Sequence, residues 1–177
     1  MIARGLLLIV ALSYSVMAGA QNVQTIVLSR HFEKVDADTD GKAFADPALT
    51  ARGQQQALAL ASLLEPLSIE RIFSTDYLRT RQSAAPTAKS LGLPVEIYDP
   101  RQPESLVEQL RTDQQNSLIL GHSNTIPALV EKLGGSAMLL AEKDYGVVFI
   151  IKIDWDVSGD TPSKTSVVSS LEQLTVD

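Results

Sequence analysis

The chain has 177 residues, 45% of them hydrophobic, enough for one domain with a proper core. A formal net charge of −6 argues against a nucleic-acid partner, which needs a basic face to neutralise phosphates. With no cysteine, disulfides, thiolate zinc sites and covalent thiol chemistry are excluded.

Residues 1–20 read as a secretory signal peptide. Arg4 supplies a positive n-region, 5–16 is dominated by Leu, Ile, Val and Ala, and Ala18-Gly19-Ala20 is a small-residue cleavage site. The alternative is an uncleaved anchor, although the apolar run falls short of the roughly 20 residues of a spanning helix. Cleavage would leave 21–177 as a single domain, beginning at Gln21, in the bacterial periplasm or outside the cell and with no membrane contact.

Residues 25–28, Thr-Ile-Val-Leu, form a β-branched, apolar run of the kind that is buried on both faces of a sheet. It delivers Arg30 and His31 to a strand's carboxyl end, where ligands of open α/β sheets bind. The polar stretch 32–47 reads as a loop over that site. Thr50 is an expected N-cap for a helix over 51–64 with Ala57, Leu58, Ala61 and Leu64 on its inner face, ended by Pro66. A strand over 69–73 leads through Ser74-Thr75-Asp76 into a helix over 77–91, capped by Asp76, closed by Gly92 and Pro94, and kinked or split by Pro86. A short strand at 95–98 and a helix over 103–111 follow, with Leu106, Val107 and Leu110 facing the core. The strand 117–120 ends at Gly121-His122, the second of just two histidines, and a helix runs on to Leu133. Segments 147–153 and 166–174 are strand-like and joined across a turn-rich 156–162, which suits an antiparallel hairpin. The fold class is therefore α/β: three layers, a mainly parallel sheet with helices on both faces, and an antiparallel C-terminal hairpin.

Four fragments carry the chemistry: Arg30-His31-Phe32-Glu33-Lys34, Leu49-Thr50-Ala51-Arg52-Gly53, the segment from Ser74 through Arg79 to Ala84, and Gly121-His122-Ser123. Taken singly, His31 could be a capping or core histidine, and Arg30 and Arg79 could be surface ion-pair residues. Their placement after predicted strands favours an anion site, since guanidinium forks match the equatorial oxygens of a phosphoryl group in transfer. Arg81, two residues further along the helix, points elsewhere and stays open between a site residue and a solvated one.

Together the fragments resemble the histidine phosphatase superfamily, with its phosphoglycerate-mutase-like fold, over about residues 24–135. The resemblance implies that His31 attacks phosphorus and becomes a phosphohistidine, that Arg30 and Arg79 hold the phosphate, and that His122 adds charge if cationic. Ser123 and Lys34 are further candidate phosphate contacts. The general acid is open: Glu104 is the first choice, Asp99 and Glu33 are alternatives, and a site with no dedicated acid is the remaining one. An aspartate follows the second histidine in phytase-like members, whereas Ser123 stands there here, which argues against that subgroup. The implied function is hydrolysis of phosphomonoesters, with a phosphorylated small molecule as partner and neither cofactor nor metal. The alternatives are a non-catalytic phosphate-binding module of the same fold and a phosphomutase.

Overall fold

Eight residues, Val23–Arg30, form strand β1, and all but the first are buried. The computed structural model describes residues 23–37, 41–42, 44–136, 139–155 and 166–176. The segment read as a signal peptide and the turn at 156–162 lie outside the described residues. β1 is followed by α1 (Ala51–Leu64), a 3-10 turn at Glu65–Leu67, β2 (Arg71–Ser74), α2 (Leu78–Leu91), β3 (Val95–Ile97), α3 (Pro103–Asp113), β4 (Ser117–Gly121), α4 (Thr125–Lys132), β5 (Val147–Trp155) and β6 (Ser166–Thr175). The six strands make one sheet in the order β3-β2-β4-β1-β5-β6. β1, β4, β2 and β3 are parallel; β5 and β6 form the expected antiparallel hairpin, with β5 running antiparallel to β1.

Alternation along the central strands divides the core in two. Ile26 and Leu28 of β1 and Ile119 of β4 pack against Leu106, Val107 and Leu110 of α3 and Leu129 and Val130 of α4. Val27, Leu118 and Leu120 point the other way, toward Ala57, Leu60 and Leu64 of α1 and Ala84 of α2. The inner face of α1 keeps Ala57 and Leu64 as expected, Ala61 is half-buried, and the main difference is at Leu58. Leu58 is 60% exposed, and Leu60 with Gln56 is buried instead. Gln56 is drawn inward because its amide is used: it donates to the Val176 carbonyl (3.1 Å) and accepts from the Glu33 N–H (3.3 Å).

Two local expectations about α2 are corrected. Pro86 lies inside an unbroken helix, held by a face on which Thr80, Ser83, Ala84 and Thr87 are all buried. Asp76 does not cap it, because its carboxylate pairs with Arg81. The carboxylate of Asp46, from the 32–47 loop, instead accepts from the Leu78 N–H at 2.9 Å and 3.0 Å. The glycine cap is as expected, with Gly92 left-handed (φ 67°) and its N–H on the Ala88 carbonyl.

The start of α1 is fixed by close contact with the segment after β1. Thr50 caps the helix by accepting from the Gly53 N–H (3.0 Å), and its own N–H donates to the Glu33 carbonyl (2.9 Å). A Cβ on Gly53 would stand 2.1 Å from that same carbonyl oxygen. We therefore expect Gly53→Ala to lower stability by about 2 kcal/mol, since neither backbone can yield without moving its neighbour. The midpoint of urea unfolding should drop accordingly, and an unchanged midpoint would show that the contact is softer than its geometry implies.

Candidate active site

Register brings the site together. Arg30 at the end of β1 is opposite Gly121 at the end of β4, and Ser74 of β2 is opposite Leu120. The ladder continues one step beyond the strands: the His31 N–H donates to the Gly121 carbonyl (2.9 Å) and the Thr75 N–H to the Leu120 carbonyl (3.3 Å). The next residues, His31 and His122, therefore emerge side by side, with ring centroids 5.5 Å apart. Gly121 leaves room for this turn, because a Cβ there would lie 2.7 Å from the Thr125 hydroxyl and 2.8 Å from that of Tyr98.

His31 is 3% exposed. Its Nδ1 lies 2.8 Å from the Phe32 carbonyl oxygen, which can only accept, so Nδ1 carries the proton and Nε2 keeps its lone pair. Burial drives the imidazole down to about 3, against the pull of the Phe32 hydrogen bond and with the Arg30 and Arg79 charges adding to the fall. His122 is the opposite tautomer. Its Nδ1 faces Nη2 of Arg79 (3.5 Å), a pure donor, and its Nε2–H donates to the Thr75 hydroxyl (3.0 Å). That hydroxyl passes its proton to the Thr80 oxygen (3.0 Å), which in turn donates to the Thr75 carbonyl (2.9 Å). Burial, then Arg79 and Arg30, lowers His122 to about 4, so it is neutral in the free site rather than the cation expected as an alternative.

The two guanidinium groups enter from different elements. Arg30 is 3% exposed; its Nη1 donates to the Ala141 carbonyl (2.9 Å) and its plane lies 4.5 Å over the ring of Tyr145. Arg79, on the first turn of α2, stacks at 4.5 Å over Tyr77 and pairs with Asp46 at 3.3 Å. Each leaves its Nε buried with no hydrogen-bond partner among the described residues, and an unsatisfied buried donor costs about 1–3 kcal/mol. An anion with several oxygens would satisfy both. Arg30, His31, Arg79 and His122 line one cleft of about 400 Å³, and Ser123 and Lys34 line it with them.

The expected acid does not. Glu104 opens α3 on the outer surface, where Lys132 takes its carboxylate at 2.6 Å. Glu33 turns away to accept from the Thr50 hydroxyl (2.8 Å), and Asp99 is held by Arg101 at 2.9 Å. Residues that sequence reasoning passed over do reach the site: Thr75, Tyr77, Asp46, Tyr145 and Glu142. The last two sit just before β5, and the signal for them was topological. An antiparallel neighbour of β1 must begin where β1 ends.

An α/β sheet presenting two neutral imidazoles and two guanidinium groups at its carboxyl edge is arranged to receive an anion with several oxygens. Comparisons with known proteins point the same way. The model of the histidine phosphatase superfamily, branch 1, matches residues 26–101, and over that part the chain is similar to that superfamily. A relative, the probable phosphoglycerate mutase GpmB of Escherichia fergusonii, is 35% identical over 94 residues, 52% of this chain and 43% of its own. The aligned part of the chain thus spans less than half the length of the curated relatives that it matches. Among solved structures, the protein histidine phosphatase SixA complexed with tungstate superposes with a TM-score of 0.65 at 17% identity, covering 86% of this chain and 97% of its own. The alpha-ribazole phosphatase from Shigella flexneri gives 0.61 at 21% identity, covering 84% and 96%.

The depressed histidines have a measurable consequence. In the unfolded chain both titrate near 6.5, so below that pH the unfolded state binds protons that the folded state refuses. Their contribution is complete above pH 6.5 and is lost progressively as pH falls toward about 3 for His31 and about 4 for His122. Going from pH 7 to pH 5 should lower stability by about 2 kcal/mol per histidine. Urea titrations at the two pH values test this, and His122→Asn should remove about half of the loss.

Proposed function

We propose that this protein is a phosphatase that hydrolyses phosphomonoesters through a covalent phosphohistidine on His31. One observation carries the reading: the Phe32 carbonyl fixes the His31 proton on Nδ1, so the free lone pair on Nε2 is available in a cleft lined by Arg30 and Arg79. The names of the structural relatives, a protein histidine phosphatase and an alpha-ribazole phosphatase, support it.

In the first step Nε2 forms a bond to phosphorus, the bond to the leaving oxygen breaks, and its electron pair stays on that oxygen, which takes up a proton from an acid or water at the cleft. In the second, water attacks the phosphohistidine, the P–N bond breaks, and the pair returns to Nε2 as phosphate departs. Arg30 and Arg79 hold the equatorial oxygens, whose charge shifts during transfer; two preorganised cations at that position act where stabilisation counts most. A neutral His31 is a requirement of this scheme, and its burial beside two cations enforces neutrality. His122, neutral when the cleft is empty, gains reason to take up a proton once a dianion lies beside it.

The purified protein should release inorganic phosphate from an aryl phosphate with no added metal. His31→Ala should abolish turnover while phosphate or vanadate binding persists; full activity in that variant would sink the nucleophile. A phosphomutase, the activity in the GpmB relatives' name, would pass the group to a second hydroxyl instead of water, and a binding module would take up vanadate without turnover; phosphate release separates hydrolysis from both. We further propose that residues 1–20 direct export and are removed. N-terminal sequencing of the protein recovered outside the cytoplasm should begin at Gln21, and an intact Met1 would point to a retained anchor.

A further inference from the structure

Glu142 lies in the connection between α4 and β5, at the rim where the His31 cleft meets a second cleft of about 710 Å³ lined in part by Lys34, Arg52 and Tyr145. It lines both. Among the described residues it is the one carboxylate that lines the first cleft. The other acids near the site are engaged: Asp46 with Arg79 and the Leu78 N–H, Glu33 with the Thr50 hydroxyl, Asp99 with Arg101. Glu142 makes no hydrogen bond or ion pair among the described residues.

The backbone that carries Glu142 is anchored on the site itself. Arg30 donates to the carbonyl of Ala141 (2.9 Å), the residue before it. The Asp144 carboxylate accepts from the Ala141 N–H (2.8 Å) and the Asp144 N–H donates back to the Ala141 carbonyl (3.1 Å), closing a tight turn with Glu142 and Lys143 at its tip. Tyr145 then places its ring under Arg30 and 5.9 Å from His31. Glu142 is solvent-exposed in this state, yet close enough to Arg30 for their charges to interact.

We propose that Glu142 is the general acid of the phosphatase reaction, protonating the leaving oxygen as that group departs into the adjoining cleft. The assignment rests on the phosphatase reading above. A doubly charged phosphate ester arriving on Arg30 and Arg79 places like charge beside the Glu142 carboxylate and favours its protonated form. As Nε2 of His31 bonds to phosphorus, the P–O bond breaks, its pair stays with the leaving oxygen, and the carboxyl proton moves to that oxygen to give a free alcohol. The resulting carboxylate accepts a proton from the water that attacks the phosphohistidine, and so returns to its starting state. Charge and protons balance over the cycle.

The test is a series of phosphate monoesters with leaving groups of graded acidity: 4-nitrophenyl, phenyl and an alkyl phosphate, with kcat/KM reporting the first chemical step. A good leaving group needs no proton, whereas an alkoxide does. Glu142→Gln should reduce kcat/KM for the alkyl ester by about 100-fold and leave the 4-nitrophenyl ester little changed. A plot against leaving-group pKa should therefore steepen, and Glu142→Asp should recover part of the alkyl rate. A uniform loss across the series would mean that Glu142 only positions Arg30 or binds substrate, and no loss at all would mean that it is a bystander; either overturns the assignment and leaves the phosphatase reading standing. A wild-type protein inactive on every ester would overturn both.

Discussion

Everything at the functional end of this molecule depends on the hydrogen-bonded register between β1 and β4. A parallel ladder fixes not only which strands are neighbours but which residues leave the sheet together. With Arg30 opposite Gly121, the two following residues are both histidines, and the His31 N–H is still held by the Gly121 carbonyl at 2.9 Å. A shift of one residue would separate the imidazoles and turn Arg30 to the other face, out of reach of the cleft. β2, paired with β4 on its other side, delivers Thr75 and then Arg79 to the same edge. The site is a consequence of sheet register before it is a consequence of side-chain chemistry.

Placing two guanidinium groups beside one buried and one half-buried imidazole is electrostatically costly, and the cost explains the protonation states. An imidazolium at His31 would have lost most of its water while facing Arg30 and Arg79. The ring therefore stays neutral far below its ordinary pKa. Neutrality is what the proposed nucleophile needs, so the same charges that would hold a phosphate would also keep the Nε2 lone pair available. The net charge of −6 resides elsewhere on the chain. Asp46 is the acid that pairs with one of these arginines, and it accepts from the Leu78 N–H as well as from Arg79, so one carboxylate both starts α2 and restrains the arginine.

The sequence made the frame legible because its signals were local. A β-branched run ending in Arg-His, a threonine cap before an amphipathic stretch and a glycine–proline stop each report on a few adjacent residues, and β1, α1 and the end of α2 lie where those signals put them. Leu58 and Leu60 show the limit: the inner face of α1 includes a glutamine because Gln56 bridges to Val176, a partner 120 positions away. Glu104, the first choice of acid, fails to line the cleft for a related reason. Glu104 follows the third strand in sequence, but α3 begins on the outer surface and offers that carboxylate to Lys132. Tyr145 and Glu142 carry no motif at all. Their location is set by the antiparallel pairing of β5 with β1, which puts the start of one strand beside the end of the other.

In the Arg30–Lys34 segment the residues after His31 are structural. Glu33 does not face the cleft. Its carboxylate accepts from the Thr50 hydroxyl and its carbonyl from the Thr50 N–H, with Gly53 pressed against the same peptide. On the other side, the Phe32 N–H donates to the Ser83 hydroxyl of α2 (3.1 Å), and the Phe32 ring is fully buried. The peptide joining Phe32 to Glu33 lies between these two anchored neighbours, its own N–H donates to Gln56 of α1 (3.3 Å), and its carbonyl selects the tautomer of His31. A loosened helix cap at Thr50 would release the adjoining Glu33 carbonyl, and the Phe32 carbonyl that holds the proton on Nδ1 would lose an anchored neighbour. The reactivity of the imidazole is in this way tied to packing on the far side of its own backbone.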